Sequence, residues 1–390
     1  MIILDKPFVS EFLKDTIAGS RIKLLKTSFS ENLTYNGDVN AISEKDAIEF
    51  LNKEEDPLIY TNSENSINWI LKNIDSPKLI DNIKLFKDKF LFRKLLKNIY
   101  PDFYFQELKL DEIFEISTES IPKPFIIKPS KGFFSMGVHL VRSNLEWESV
   151  KGSIRKELEM VKNIYPVSVL DTSSFILEEY IQGDEYAFDA YFNVQGKPVI
   201  LNVFKHLFSN EKNLNDRVYY TSASLVEEHL DSFREILKKV GELTDIRNFP
   251  MHVEVRITSD GRIIPIEINP MRFGGWCTTA DISFNAFNFN PYVYYLSGLA
   301  PDWEGIIQNS QNKTYCIIVL DNTTGQRPEN IASFNFNKLC ERFEKPLEIR
   351  VVDYKEFPVF GFLFAEIQEE KMDELEFILE SNLREFIEMV

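Results

Sequence analysis

A chain of 390 residues, 44% apolar and 27% charged, has the apolar content for two or three packed domains. Its formal net charge of −17 repels polyanions, which argues against general nucleic-acid binding and against docking on anionic membranes. Cys277, Cys316 and Cys340 are its three cysteines; they share no CxxC or metal-like spacing, and their odd number fits a reduced, cytoplasmic setting. No apolar run approaches the roughly 18 residues of a membrane span, and the charged opening MIILDKPF lacks a secretory apolar core.

In chain order, short apolar runs at 2–4, 22–25 and 58–60 read as strands, and helix-like spacing appears at 8–17, 44–51 and 66–74. The alternation predicts a small parallel α/β domain over 1–85. Its only glycines are Gly19 and Gly37, so it carries no dinucleotide fingerprint. Residues 86–99 read as one helix closed by Pro101. Strands at 124–128 and 138–141 flank a glycine-containing loop, and a helix covers 145–164. Segments 175–180, 185–192 and 198–204 read as strands of one antiparallel sheet. An amphipathic helix at 230–240 follows, then a hairpin of 252–257 and 263–268 around Asp260-Gly261. From about 311 the pattern predicts a small terminal α+β subdomain, with strands at 315–320, 347–352 and 360–367 and a helix from about 370.

Three segments carry chemistry. The first is Lys128-Pro-Ser-Lys-Gly132-Phe-Phe-Ser135-Met-Gly137. A lysine ending an apolar strand can reach a phosphate, the glycines let backbone N–H groups approach it, and Ser135 adds a hydroxyl. Alone, the segment reads equally well as a surface hairpin, and the GxxxxGK[ST] order is absent. The second is Glu178-Glu179-Tyr180-Ile181-Gln-Gly183-Asp-Glu185. A strand end can pair its backbone with an adenine edge, and an acidic residue just beyond can accept ribose hydroxyls; alone, it is also an edge strand with a solvated acidic rim. The third is His252-Val-Glu254-Val-Arg256 with Ile266-Glu267-Ile268-Asn269-Pro270. Alternate strand residues share a face, so Glu254 pairs with Arg256 and Glu267 with Asn269. Two carboxylates and an amide oxygen make a hard oxygen site suited to Mg2+ whose other ligands are phosphate oxygens; alone, the segment is also readable as ordinary charge on a half-exposed hairpin.

Together, in this order and spacing, the segments resemble the ATP-grasp superfamily, which includes biotin carboxylase, carbamoyl-phosphate synthase, D-alanine–D-alanine ligase and the L-amino-acid ligases. The resemblance spans about 85–300. It implies an α/β domain at 1–85, an ATP-grasp domain at 86–310 with a lid subdomain at about 110–182, and the terminal subdomain at 311–390. It also implies site roles. Lys89 and Lys128 hold ATP phosphates, and the loop through Ser135 and Gly137 closes over them. Glu178, Glu179 and Ile181 lie along the adenine strand, with the Glu179 and Ile181 backbones as contacts, and Glu185 takes the ribose. Lys205 reaches the terminal phosphate. Glu254, Glu267 and Asn269 hold Mg2+ or Mn2+, and Arg272 steadies an acyl phosphate. Two departures stand out. Met271 separates Asn-Pro from Arg272, and the phosphate loop is less glycine-rich than in biotin carboxylase, so bicarbonate chemistry is not carried over.

The implied activity is an ADP-forming ligase that activates a small-molecule carboxylate as an acyl phosphate and joins it to an amine, with amino-acid-like substrates. A phosphotransferase and a non-catalytic ATP sensor are the rival readings. Cys277 has no activating base in the sequence and is not expected to be a nucleophile. Ser63-Glu64-Asn65, after an N-terminal strand, is either a ligand loop or an ordinary turn.

Overall fold

The computed structural model describes residues 1–131, 137–161, 171–208, 217–310, 313–368, 371 and 373–390. The N-terminal sheet has four short parallel strands, β1 (Ile2–Ile3), β2 (Leu24–Leu25), β3 (Ala41–Ile42) and β4 (Tyr60–Thr61), in spatial order β3-β2-β1-β4. Serine caps start its helices: Ser10 accepts from the Leu13 amide for Glu11–Ala18, and Ser43 from the Asp46 amide for Glu44–Leu51. Its core runs without a break into that of the large central sheet, so no gap in packing marks the boundary expected near residue 85.

Residues 86–99, read from sequence as one helix, hold the end of one helix and a second helix that starts at Lys89. Helix Pro77–Lys87 ends at Asp88, whose carboxylate accepts the amides of Phe90 and Leu91 and starts helix Lys89–Leu96. The cap therefore places Lys89 at a helix start, where its side chain reaches the central sheet.

A four-stranded antiparallel sheet follows, made of β5 (Phe105–Lys109), β6 (Phe125–Lys131), β7 (His139–Val141) and β8 (Asp171–Glu179), in order β5-β8-β6-β7. The larger sheet holds β9 (Asp184–Phe192), β10 (Pro198–Leu207), β11 (Val218–Thr221), β12 (Phe249–Ile257), β13 (Ile263–Pro270), β14 (Lys313–Asp321), β16 (Pro346–Val351) and β17 (Val359–Gln368), in order β13-β12-β9-β10-β11-β14-β17-β16. The sequence reading placed β8 with β9 and β10; the structure divides them between two sheets. The change of sheet occurs at Gly183, with φ of 155°, where an added Cβ would lie 2.1 Å from the Ile257 carbonyl oxygen. Only a residue without a side chain lets the chain pass so close to β12.

Helix Ala223–Thr244 covers one face of the large sheet, burying Leu225, Val226, Phe233, Leu237 and Val240 in one core with Tyr186, Phe188, Leu201 and Val203. The strands of the expected terminal subdomain continue this sheet through β11. Its own core is distinct, built on Leu375, Ile378, Leu383 and Phe386 beside the pair β15 (Ile331–Phe334) and β18 (Ile387–Met389). The last helix is short, Asp373–Glu380, and Leu383 takes a positive φ of 58° where the chain turns into β18. Among the described residues no helix is long and apolar enough to cross a membrane.

Candidate active site

Pairing register decides which side chains share the open face. In β12 and β13, Glu254 lies directly opposite Glu267 and His252 opposite Asn269, with a bulge after Glu254. Like charges directly across a ladder repel unless a cation answers them. Here Lys89 Nζ is 2.8 Å from Glu267 Oε2, and the Asn269 amide donates to Glu267 Oε1 at 3.1 Å. Burial alone would raise the Glu267 carboxyl, but the neighbouring Lys89 charge, helped by Lys128, holds it below its ordinary range. Burial likewise works against the Lys89 ammonium; Glu267, Glu64 and Glu254 more than offset it. Glu267, braced by Asn269, thus meets a lysine from a helix about 180 residues earlier in the chain.

On the smaller sheet, Lys128 Nζ lies 2.7 Å from Glu178 Oε1, and Arg93 Nε lies 2.8 Å from Glu178 Oε2. Glu178 is 3% exposed. Burial pushes its carboxyl up, and Arg93 and Lys128 together bring it down to about 2. Arg93 also donates to the Pro265 carbonyl at 2.9 Å and sits over the Phe103 ring. Glu178, expected along the adenine strand, has both oxygens committed to cations, so its side chain positions Lys128. Arg93 escaped the sequence reading; the signal was a charged residue on the buried side of helix Lys89–Leu96, next to Phe92.

The Glu179 amide donates to the Tyr104 carbonyl at 3.0 Å, and the Ile181 carbonyl accepts Arg256 at 2.9 Å. Glu185 Oε2 accepts from Arg256 Nε and NH2 at 2.9 and 2.8 Å, and Oε1 lies 3.2 Å from His206 Nδ1. Burial opposes ionisation of Glu185, and the His206 and Arg256 contacts overcome it and lower its carboxyl. Glu185 therefore faces the same side of the sheet as Glu254.

Lys205 is not brought to this face. It pairs across strands with Tyr186, whose ring meets His229 and Phe233 of the covering helix on the opposite side. Lys205 binds Asp184 at 2.7 Å and lies over the Tyr186 ring. The neighbouring His206 takes the open face instead, because successive strand residues point to opposite sides.

The inserted Met271 is fully buried with φ of 66°. Its carbonyl accepts the Thr61 amide at 2.8 Å and the Thr61 hydroxyl at 3.1 Å, tying the turn to the N-terminal sheet. The next residue, Arg272, then meets Glu64 at 2.9 Å, and Lys87 reaches the other oxygen of Glu64 at 2.7 Å. Burial would raise Glu64; Lys87 and Arg272 bring it down to about 2. The loop after the N-terminal strand is thus part of the cluster. Gly137 has φ of 71°, and a Cβ there would press on the Pro129 ring at 3.1 Å. Gly132 and Ser135, and with them the expected closing loop, lie outside the described residues. Burial, then Asp281, pushes the Cys277 thiol up to about 11, the opposite of an activated nucleophile.

Among the described residues no group of three or more His, Cys, Asp or Glu is gathered to hold a metal. The two facing carboxylates and the Asn269 amide are all hard oxygen donors, and a protein cation already sits on one of them. That set fits Mg2+ bound through few protein ligands, with phosphate oxygens and waters completing its shell.

Residues 121–280 match the family profile of an ATP-grasp domain. No curated protein sequence matches the chain. Among solved structures, an L-amino acid ligase from Bacillus licheniformis superposes with TM-score 0.67 at 15% identity, covering 100% of this chain and 98% of its own. The biotin carboxylase domain of 2-oxoglutarate carboxylase from Hydrogenobacter thermophilus, solved with MgADP and bicarbonate, gives 0.61 at 13%, covering 100% and 90%. An N5-carboxyaminoimidazole ribonucleotide synthetase in complex with ADP gives 0.63 at 14%, covering 97% and 95%. At these identities the likeness establishes the fold: a small parallel α/β sheet followed by a large antiparallel sheet, in the ATP-grasp arrangement.

Proposed function

We propose that this chain, with its ATP-grasp domain, is an ATP-dependent ligase that joins a carboxylate to an amine with formation of ADP. The observation that carries the reading is the facing pair Glu254 and Glu267 with Asn269, set beside Lys89 and Lys128. ATP and Mg2+ are supported by the neighbours solved with ADP and MgADP. The carboxylate and amine are amino-acid-like, a choice supported by the likeness to an L-amino acid ligase.

Lys89 and Lys128 place fixed positive charge against the ATP phosphates, and Glu178 and Glu267 keep both ammonium groups from wandering. Glu254, Glu267 and Asn269 hold Mg2+, which when bound supplies charge neutralisation on the transferring phosphoryl group. Arg272, anchored by Glu64, is placed to bind the substrate carboxylate and then its phosphorylated form. A carboxylate oxygen attacks the γ-phosphorus, its bond to the ADP oxygen breaks, and an acyl phosphate and ADP result. The amine then attacks the acyl carbon and phosphate leaves. No protein nucleophile is required, and the raised Cys277 thiol offers none. Positioning and electrostatics carry the catalysis.

The test is a phosphate-release screen with amino acids and small acids, singly and in pairs, followed by hydroxylamine trapping. ADP and a hydroxamate are expected with the true carboxylate, and Cys277→Ala should leave the yield intact. AMP with pyrophosphate would replace the acyl phosphate by an adenylate. A stable phosphorylated product would make the protein a phosphotransferase, and ATP binding with no turnover across the screen would make it a sensor.

A further inference from the structure

The chain passes from the smaller sheet to the larger one through residues 180–183, between Glu179, which ends β8, and Asp184, which begins β9. This crossing is pinned on three sides. The Ile181 side chain is buried in a small cluster with Phe103 and Ile264. Gly183 lies against Ile257 of β12, closer than a side chain would allow. The third hold is Arg256, directly opposite Glu185 in the ladder of β9 and β12 and 8% exposed. Its Nη1 donates to the Ile181 carbonyl at 2.9 Å, while Nε and Nη2 donate to Glu185 Oε2 at 2.9 and 2.8 Å. The guanidinium also sits 5.0 Å from the centre of the Tyr180 ring.

These contacts sort the polar groups around Arg256. The Ile181 carbonyl is taken by a charged donor, which leaves the amide as that residue's backbone group for the edge of a base. Glu185 Oε2 accepts two N–H groups, which uses both of its lone pairs. Oε1, 3.2 Å from His206 Nδ1, keeps one for a ribose hydroxyl. A guanidinium carries its donors in a rigid fork, so the carbonyl and the carboxylate are held at one fixed spacing. A lysine is a single point of charge and holds one or the other.

We propose that Arg256 is a positioning residue for the nucleoside end of ATP: it fixes the backbone edge at Ile181, which meets the adenine, relative to Glu185, which meets the ribose. The inference rests on the ATP reading above. Its consequence is selectivity for the base. Adenine presents an acceptor at N1 beside the donor of its amino group, whereas guanine presents a donor at N1 beside a carbonyl acceptor. A backbone edge held in place answers the first pattern and is left unpaired by the second, and sites built on hydrogen bonds reject such analogues strongly. An edge free to shift adapts to either.

Isothermal titration with MgADP and with MgGDP, on the wild type, Arg256→Met and Arg256→Lys, tests this. The wild type should bind ADP more tightly than GDP. Arg256→Met should weaken ADP about tenfold, the scale of one lost hydrogen bond to a charged group, while leaving GDP nearly unchanged, so that the preference collapses. Arg256→Lys keeps the charge beside Glu185 and should lose the preference as well. Equal weakening of both nucleotides is what a merely structural residue gives, and it overturns the proposal. So does a lysine variant with the wild-type preference, because charge balance alone would then suffice. A wild type that does not prefer ADP overturns it too, and needs no variant to fold. If the wild type binds neither nucleotide, the ATP reading fails and this inference falls with it; ADP bound with an unchanged preference in both variants overturns this inference alone.

Discussion

Glu178→Gln isolates the best-defined electrostatic bond in the cluster. The substitution keeps the shape and removes the one carboxylate between Lys128 and Arg93, contacts of 2.7 and 2.8 Å around a side chain that is 3% exposed. The fall of the Glu178 carboxyl from 4.5 to about 2 corresponds to roughly 3 kcal/mol at about 1.4 kcal/mol per pH unit. An independent figure agrees, since removing one partner of a buried ion pair costs about 3–5 kcal/mol. The folded-state value is the depressed one. The stabilisation is therefore complete above pH 4.5 and is lost as pH falls toward 2. Urea denaturation at pH 7 should show the variant about 3 kcal/mol less stable. Below pH 4.5 the gap should narrow, because the wild type gives up the same charge by protonation. A loss under about 1 kcal/mol at pH 7, the range of an exposed ion pair, would refute the reasoning. So would a gap that stays constant into the acid limb.

Glu267→Gln should lower ATP turnover by about 10²-fold, the scale of losing one preorganised electrostatic stabiliser; phosphate release at limiting Mg2+ measures it, and unchanged turnover in a folded variant counts against the ligand role. Lys205→Ala should leave phosphate release within about twofold, as for a substitution away from the site, because Lys205 faces the covering helix; a loss of 10²-fold would return Lys205 to the reacting centre.

Much of the site was legible from alternation alone. A period of two puts Glu254 with Arg256 and Glu267 with Asn269 on common faces, and the hairpin around Asp260-Gly261 brings the strands together. Alternation does not give register. That Glu254 meets Glu267 depends on the bulge after Glu254, which no residue in the hairpin advertises. Nor does it say which of two adjacent residues faces the ligand. In β10 both Lys205 and His206 are chemically plausible, and only the packing of Phe233 and His229 against Tyr186 decides between them. Of the partner cations, Lys89 came from the resemblance and not from the alternation, and Arg93 was the least visible: it comes from a helix whose start is set by the Asp88 cap. Sheet membership was hidden for a similar reason: β8, β9 and β10 have the same strand character, and the break between β8 and β9 is a close backbone approach at Gly183. The terminal strands looked like a separate unit because their helix and hairpin have their own core, yet hydrogen bonding joins β14 to β11.

The distribution of charge resolves how so acidic a chain can receive a triphosphate. The formal charge of the whole chain is −17, yet around the site Lys87, Lys89, Arg93, Lys128 and Arg272 face Glu64, Glu178, Glu254 and Glu267. With Arg256, Glu185 and Asp189 on the same face, six cations answer six carboxylates, so the cluster is close to neutral in a negative molecule. The carboxylates do not share the work evenly. Glu64 and Glu178 each hold two cations and are driven down to about 2, so they stay ionised across the working pH range and act as fixed anchors. Glu267 meets Lys89 and the Asn269 amide while facing Glu254 across the ladder. A cation bound there would relieve the facing pair and leave the Lys89 ammonium to the phosphates. Positive charge held in place by acidic partners, beside a facing carboxylate pair able to take a divalent cation, suits Mg-ATP in a protein whose overall field would otherwise repel it.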